Sequence, residues 1–201
     1  MTNRRQEILE AFIELTYTNR QKGKRCSAQQ VADHIGCSKV LIFQYFPDMR
    51  TLSESSFHLI CHEIKDILQS IDVPENIDPR STVEYLCEIW DSFFRYLSSN
   101  PSRMHYFIFY SLNYSPYPSG YNSSDKIVRS ILREHYEAFI AKCPDFVLIS
   151  QYLVSVAALA ANMVEGSEEP DIVITKITTI IMSGISSIVG ADGDDYVDSV
   201  R

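Results

Sequence analysis

The sequence predicts an all-α protein in which a small N-terminal helix-turn-helix domain precedes a larger helical domain. Three observations support this fold class. Signals for two short helices joined by a tight turn lie between Ser27 and Leu52. Apolar residues then recur at helical spacing, without the alternation typical of strands. Finally, 45% hydrophobic content in 201 residues is ample for a packed core.

Helix-capping residues define the two short helices. Ser27 followed by Gln30 matches a capping box, which predicts a helix start near residue 28. Gly36 can adopt the positive φ that ends this helix, and Ser38 is suited to cap the next one. The spacing therefore predicts helices over 28–35 and 39–45.

The second short helix has an inward and an outward face. Ile42 and Phe46 are four residues apart and point inward. Pro47 then stops the helix, and Asp48 can cap the one that follows. The outward side chains, which are free to contact a partner, are Lys39, Val40, Leu41, Phe43 and Gln44.

The remaining chain is predicted to be helical, giving about nine helices. Pro and Gly clusters separate the segments. The domains expected are a helix-turn-helix domain over 1–47, a larger helical domain over 48–190 and an acidic tail over 191–201. Besides the two short helices, the predicted helices are 3–20, 48–71, 80–99, 102–112, 124–142, 145–165 and 171–189.

The N-terminal region resembles the tetracycline-repressor (TetR) family of transcriptional regulators. The resemblance covers about the first 52 residues. It lies in Ile8-Leu9-Glu10-Ala11, Val31-Ala32, Gly36-Cys37-Ser38-Lys39 and Tyr45-Phe46-Pro47-Asp48 with Leu52. It implies a dimer that binds a DNA operator and has a C-terminal small-molecule pocket controlling operator affinity.

The resemblance also assigns site residues. The recognition helix maps to Ser38 through Tyr45, and a phosphate-contacting helix start maps to Ser27 through Gln29. Leu41, Phe43 and Met49 depart from polar residues common in the family, although Arg50 can restore a phosphate contact. The predicted DNA-binding residues are Ser27, Gln29, Ser38, Lys39, Val40, Leu41, Phe43, Gln44, Tyr45 and Arg50.

The charge distribution is uneven along the chain. Residues 1–50 contain eight Lys/Arg and five Asp/Glu, which give a net charge of +3. The remaining residues contain ten Lys/Arg and twenty-one Asp/Glu, which give a net charge of −11. A basic N-terminal region on an acidic body is expected if only that region meets phosphate.

Two apolar C-terminal segments predict a subunit interface. Phe146 to Val164 carries no charge but contains polar residues and lacks basic flanks, so we reject a membrane span. Ile172 to Val189 has the same character and several small residues. Together they favour a homodimer, with burial inside a monomer core as the alternative.

An aromatic-rich segment, Tyr85 to Tyr121, predicts the effector site. Aromatic walls with a few polar tips suit an apolar or aromatic small molecule, although most of these side chains must be ordinary core. The predicted ligand-binding residues are Trp90, Phe94, Tyr106 and Tyr110, with Arg103 and His105 as candidate polar partners.

Other chemistry has weaker support. His58 and His62 have a spacing that can present two imidazoles to a metal, but the sequence does not indicate the further ligands that zinc needs. We therefore interpret the two histidines as part of a partly exposed helix face and assign no metal site. No catalytic motif, cofactor motif or secretion signal is found. Five cysteines without regular spacing fit a reducing cytosol.

The sequence therefore predicts a cytoplasmic, ligand-responsive transcriptional regulator, most simply a repressor, that binds a palindromic operator as a dimer and is not an enzyme. The alternative is a helical ligand-binding or metal-binding protein whose helix-turn-helix has lost DNA affinity.

Overall fold

Capping side chains determine where the N-terminal helices begin. The computed structural model describes residues 3–72, 74–75, 78–113, 156–157, 160, 163–165 and 167–189. Helix α1 is Arg4–Gln21, α2 is Ala28–His34 and α3 is Lys39–Tyr45. Asn3, Ser27 and Ser38 cap these three helices with their side-chain oxygens. The predicted bounds are therefore close to the observed ones.

Four longer helices complete the described part of the chain. They are α4 (Met49–Gln69), α5 (Pro79–Ser98), α6 (Pro101–Asn113) and α7 (Pro170–Val189). Residues 156–157 and 163–165 are also helical. No strand occurs among the residues described, which confirms the all-α prediction. The predicted helix 124–142 and most of 145–165 lie outside them.

The chain divides into two compact units. The first contains Met1–Glu63 and Asn100–Tyr114, and the second contains Ile64–Ser99 and Ser115–Arg201. The first unit therefore includes most of α4 and also α6, whereas the sequence-based prediction places both helices in the second domain. The predicted boundary after residue 47 stays a prediction.

An aromatic core joins α1, α4 and α6 in the first unit. The Tyr106 ring meets Phe12 edge to face, with 5.9 Å between ring centroids. Phe57 stacks on Phe107 at 5.4 Å and on Tyr110 at 4.3 Å. The Tyr106 hydroxyl donates to the backbone carbonyl of Ser53 at 2.9 Å and lies 2.7 Å from its Oγ. These contacts fix α6 against α1 and α4.

The second unit has its core between α5 and α7. Trp90 stacks on Phe94 with 5.1 Å between ring centroids, and both side chains are buried. Ile174, Ile177 and Ile181 recur on the buried face of α7. No helix within the described ranges is long and apolar enough to cross a membrane.

Candidate nucleic-acid interface

The turn between α2 and α3 is built from short-range hydrogen bonds. The Gln30 side chain accepts from the Ser27 backbone N–H at 2.9 Å, while the Ser27 hydroxyl accepts from the Gln30 N–H at 3.3 Å. This confirms the predicted capping box. Gly36 has φ +66°, a left-handed conformation that non-glycine residues rarely adopt. The turn therefore fixes the direction in which α3 leaves.

Helix α3 is anchored at both ends and on its inner face. The Ser38 hydroxyl accepts from the Leu41 backbone N–H at 3.2 Å, which satisfies one orphan donor of the first turn. Ile42 and Phe46 are almost completely buried, as predicted. The Arg5 guanidinium lies over the Phe46 ring, 5.1 Å from its centroid, so α1 also contributes to this end of the helix.

The outer face of α3 is open. Val40 is 67% exposed, Tyr45 is 43% exposed and Phe43 is 36% exposed, while Leu41 is half-buried. Lys39 and Gln44 are also exposed, and the Lys39 ammonium lies 5.7 Å from the centroid of the Phe43 ring. The sequence-predicted residues of this helix are therefore brought together on one surface.

The predicted residues flanking α3 are also accessible. Ser27, Gln29 and Arg50 are exposed. The Gln29 amide donates to Asp33 at 2.7 Å, so it would have to exchange this bond to reach a phosphate. The Asp48 carboxylate accepts from the Thr51 backbone N–H at 2.6 Å, and this bond lowers the pKa of Asp48. Asp48 thus caps α4, as its position predicted.

Asn19 is a positioning residue that sequence analysis missed. It is buried near the end of α1, and its amide donates to the Gln30 side chain at 3.3 Å. Its carbonyl accepts from the Lys24 backbone N–H at 2.8 Å. Asn19 thereby connects α1 to the capping box of α2. A polar residue between Thr18 and Arg20 gives no sequence signal for this role.

The four predicted ligand-binding residues belong to different units. Trp90 and Phe94 lie in the second unit, whereas Tyr106 and Tyr110 lie in the core of the first. Tyr114, Tyr117 and Tyr121 fall outside the described residues. Their role in binding an effector stays a prediction.

The candidate polar partners are engaged within the first unit. The Arg103 guanidinium forms two hydrogen bonds to Glu63, at 2.8 and 3.2 Å. The His105 ring packs against Tyr17, with 5.1 Å between centroids.

Comparison with known proteins supports the fold assignment. No protein-family model matches the chain, and no curated protein matches it. Solved structures do match over almost the whole chain.

A candidate TetR family transcription regulator from Shewanella sp. PV-4 is 18% identical, with a TM-score of 0.66, and the match covers 90% of this chain and 97% of that one. A TetR family regulator from Marinobacter aquaeolei VT8 is 16% identical, with a TM-score of 0.63 and coverage of 92% and 94%. A TetR-like regulator from Rhodococcus sp. RHA1 gives 13% identity, a TM-score of 0.50 and coverage of 94% and 96%. At such identities the similarity establishes the fold. The chain therefore has the all-helical fold of TetR family transcription regulators.

Proposed function

We propose that this protein is a transcriptional regulator of the TetR family that binds a palindromic DNA operator as a homodimer in the cytoplasm. The observation that carries this proposal is the exposed outer face of α3, held by a capped turn and a buried inner face. A helix presented in this way fits the major groove, which is wide enough to admit it.

The side chains of this face determine the kind of DNA contact we propose. Val40 and Phe43 are exposed apolar groups, which suit the C5-methyl of thymine. Lys39 and Gln44 supply donors for base edges or phosphates. We therefore infer that the site combines methyl contacts with few polar base contacts, and that phosphate contacts from Ser27, Gln29 and Arg50 set the orientation.

The homodimer is supported by the outer face of α7. Ile180 is 65% exposed and Ile172 is 46% exposed, although Ile174 and Ile177 on the same helix are buried. Large apolar side chains exposed on the outside of a long helix suit a subunit contact. A two-fold dimer would carry two copies of α3, which matches a palindromic operator.

The regulatory ligand we propose is an apolar or aromatic small molecule. Trp90 and Phe94 form a stacked aromatic pair within the second unit, and we propose that they contact the effector. We also propose that the protein acts as a repressor, released when the effector favours the state with lower DNA affinity.

Substitutions on α3 test DNA recognition. Operator DNA is first selected from the region upstream of the gene, and binding is then titrated for wild type, Lys39→Ala and Gln44→Ala. Both variants should bind more weakly while circular dichroism stays unchanged, because both side chains are exposed. Gln69→Ala is the matched control, because Gln69 is exposed on α4 outside the proposed interfaces, and it should bind like wild type. Equal affinity for all four proteins would contradict the placement of the interface on α3.

A further inference from the structure

A groove in the first unit contains ionisable side chains that the proposed DNA-binding function does not use. It lies between α1 and the first half of α4 and has a volume of about 420 Å³. Leu9 and Leu59 contribute apolar surface. The polar lining consists of Arg5, Glu54, Ser55, His58 and His62.

Two imidazoles and a carboxylate share one face of α4. Glu54, His58 and His62 follow each other at four-residue intervals, so neighbours lie one turn apart with Cβ atoms about 5–6 Å from each other. All three side chains are exposed. Within the described part of the chain, none of them makes a hydrogen bond or an ion pair. They are therefore available to an external ligand.

We propose that His58 and His62 bind a divalent transition-metal ion such as Zn²⁺, with Glu54 on the adjoining turn supplying compensating negative charge. Neutral imidazole is a common ligand for such ions, and zinc takes it at about 2.0–2.1 Å. Two imidazoles at positions i and i+4 of a helix can reach the same ion.

The neighbouring groups define what kind of site this is. Cys61 lies between the two histidines in sequence, but it is buried and does not line the groove, so it is not a ligand. The described residues include no cluster of three or more His, Cys, Asp or Glu side chains placed to hold a metal. The helix therefore supplies two ligands, and water completes the coordination of an open, exchangeable site.

Arg5 is the one cationic neighbour in the lining whose charge is permanent. Its guanidinium lies over the Phe46 ring at the end of α3, where the ring face attracts its charge. Glu54 brings an opposite charge to the same groove. An anion held by Arg5 is the competing occupant.

Titration of the full-length protein with zinc chloride tests the site. Isothermal calorimetry should detect a site whose affinity falls at least about tenfold in His58→Gln and in His62→Gln, because each change removes a direct ligand. His34→Gln is the matched control, since His34 is also helical and exposed and lies 3.8 Å from Glu14. It should bind zinc like wild type. Unchanged zinc affinity in both groove variants would overturn the proposal.

A measurement on the unaltered protein gives an independent readout. Zinc should protect His58 and His62 from modification by diethyl pyrocarbonate, mapped by mass spectrometry, and leave His34 reactive. Inorganic phosphate should give no such protection. Protection by phosphate and not by zinc would identify an anion site and contradict the proposal, as would protection by neither.

Discussion

Tyr106→Phe tests a structural role for the hydroxyl of this tyrosine. Its hydroxyl is buried between α4 and α6, where it bonds the Oγ and the carbonyl of Ser53. Removing it deletes two hydrogen bonds, each worth about 0.5–1.5 kcal/mol net, and leaves the buried Ser53 hydroxyl without this partner. We therefore expect a loss of about 1–3 kcal/mol in the free energy of unfolding.

Urea denaturation followed by circular dichroism measures this change through the midpoint and slope. Tyr45→Phe is the matched control, because the Tyr45 side chain is 43% exposed. Removing its hydroxyl should change the free energy of unfolding by no more than about 0.5 kcal/mol. A double-mutant cycle with Ser53→Ala should give a combined cost smaller than the sum, since neither partner is then left unsatisfied. A Tyr106→Phe protein as stable as wild type, with additive effects in the cycle, would show that the hydrogen bonds to Ser53 do not stabilise the fold.

Three further predictions follow from the turn, the cap of α4 and the outer face of α7. Gly36→Ala should lower the free energy of unfolding by about 1–2 kcal/mol, measured in urea, because φ of +66° is strained for alanine. The hydrogen bond from the Thr51 backbone N–H lowers the pKa of the Asp48 carboxyl in the folded protein. The stabilisation that this carboxylate contributes should therefore be present above the pKa of the carboxyl in the unfolded chain, and it should be lost as pH falls through the pKa in the folded protein. Asp48→Asn should flatten this pH dependence of stability in thermal melts recorded at a series of pH values. Ile180→Glu should shift sedimentation towards monomers, because the substitution would bury a charge in the proposed subunit contact. The helical content should stay intact, because Ile180 is 65% exposed within the chain. A wild-type protein that is already monomeric at micromolar concentration would contradict the dimer.

Local sequence signals predicted the helix-turn-helix well. Ser27, Gln30 and Ser38 form short-range hydrogen bonds that depend only on neighbours three residues away. The expected helix over 39–45 matches Lys39–Tyr45 for the same reason. Gly36 was informative because its backbone conformation is restricted to few residue types.

Long-range partners could not be predicted in this way. The Tyr106 hydroxyl bonds Ser53, fifty-three residues earlier, and Arg103 pairs with Glu63 across forty residues. Aromatic composition does not distinguish a tyrosine in the core from a tyrosine that contacts a ligand. Consequently, no local pattern indicated that α6 belongs to the same unit as α1. The groove at His58 and His62 likewise depends on how α1 packs against α4.

We propose that α3 and its flanking residues form a DNA interface that contacts backbone phosphates. The most direct test is the affinity for duplex DNA from the upstream region of the gene, measured by fluorescence anisotropy across a series of salt concentrations. We expect a steep linear fall of log K with log salt, with a slope of about −0.9 per phosphate neutralised, and a slope of smaller magnitude in Arg50→Ala. Absent or salt-independent binding would show that this helix-turn-helix does not engage the DNA backbone and would contradict the proposed DNA interface.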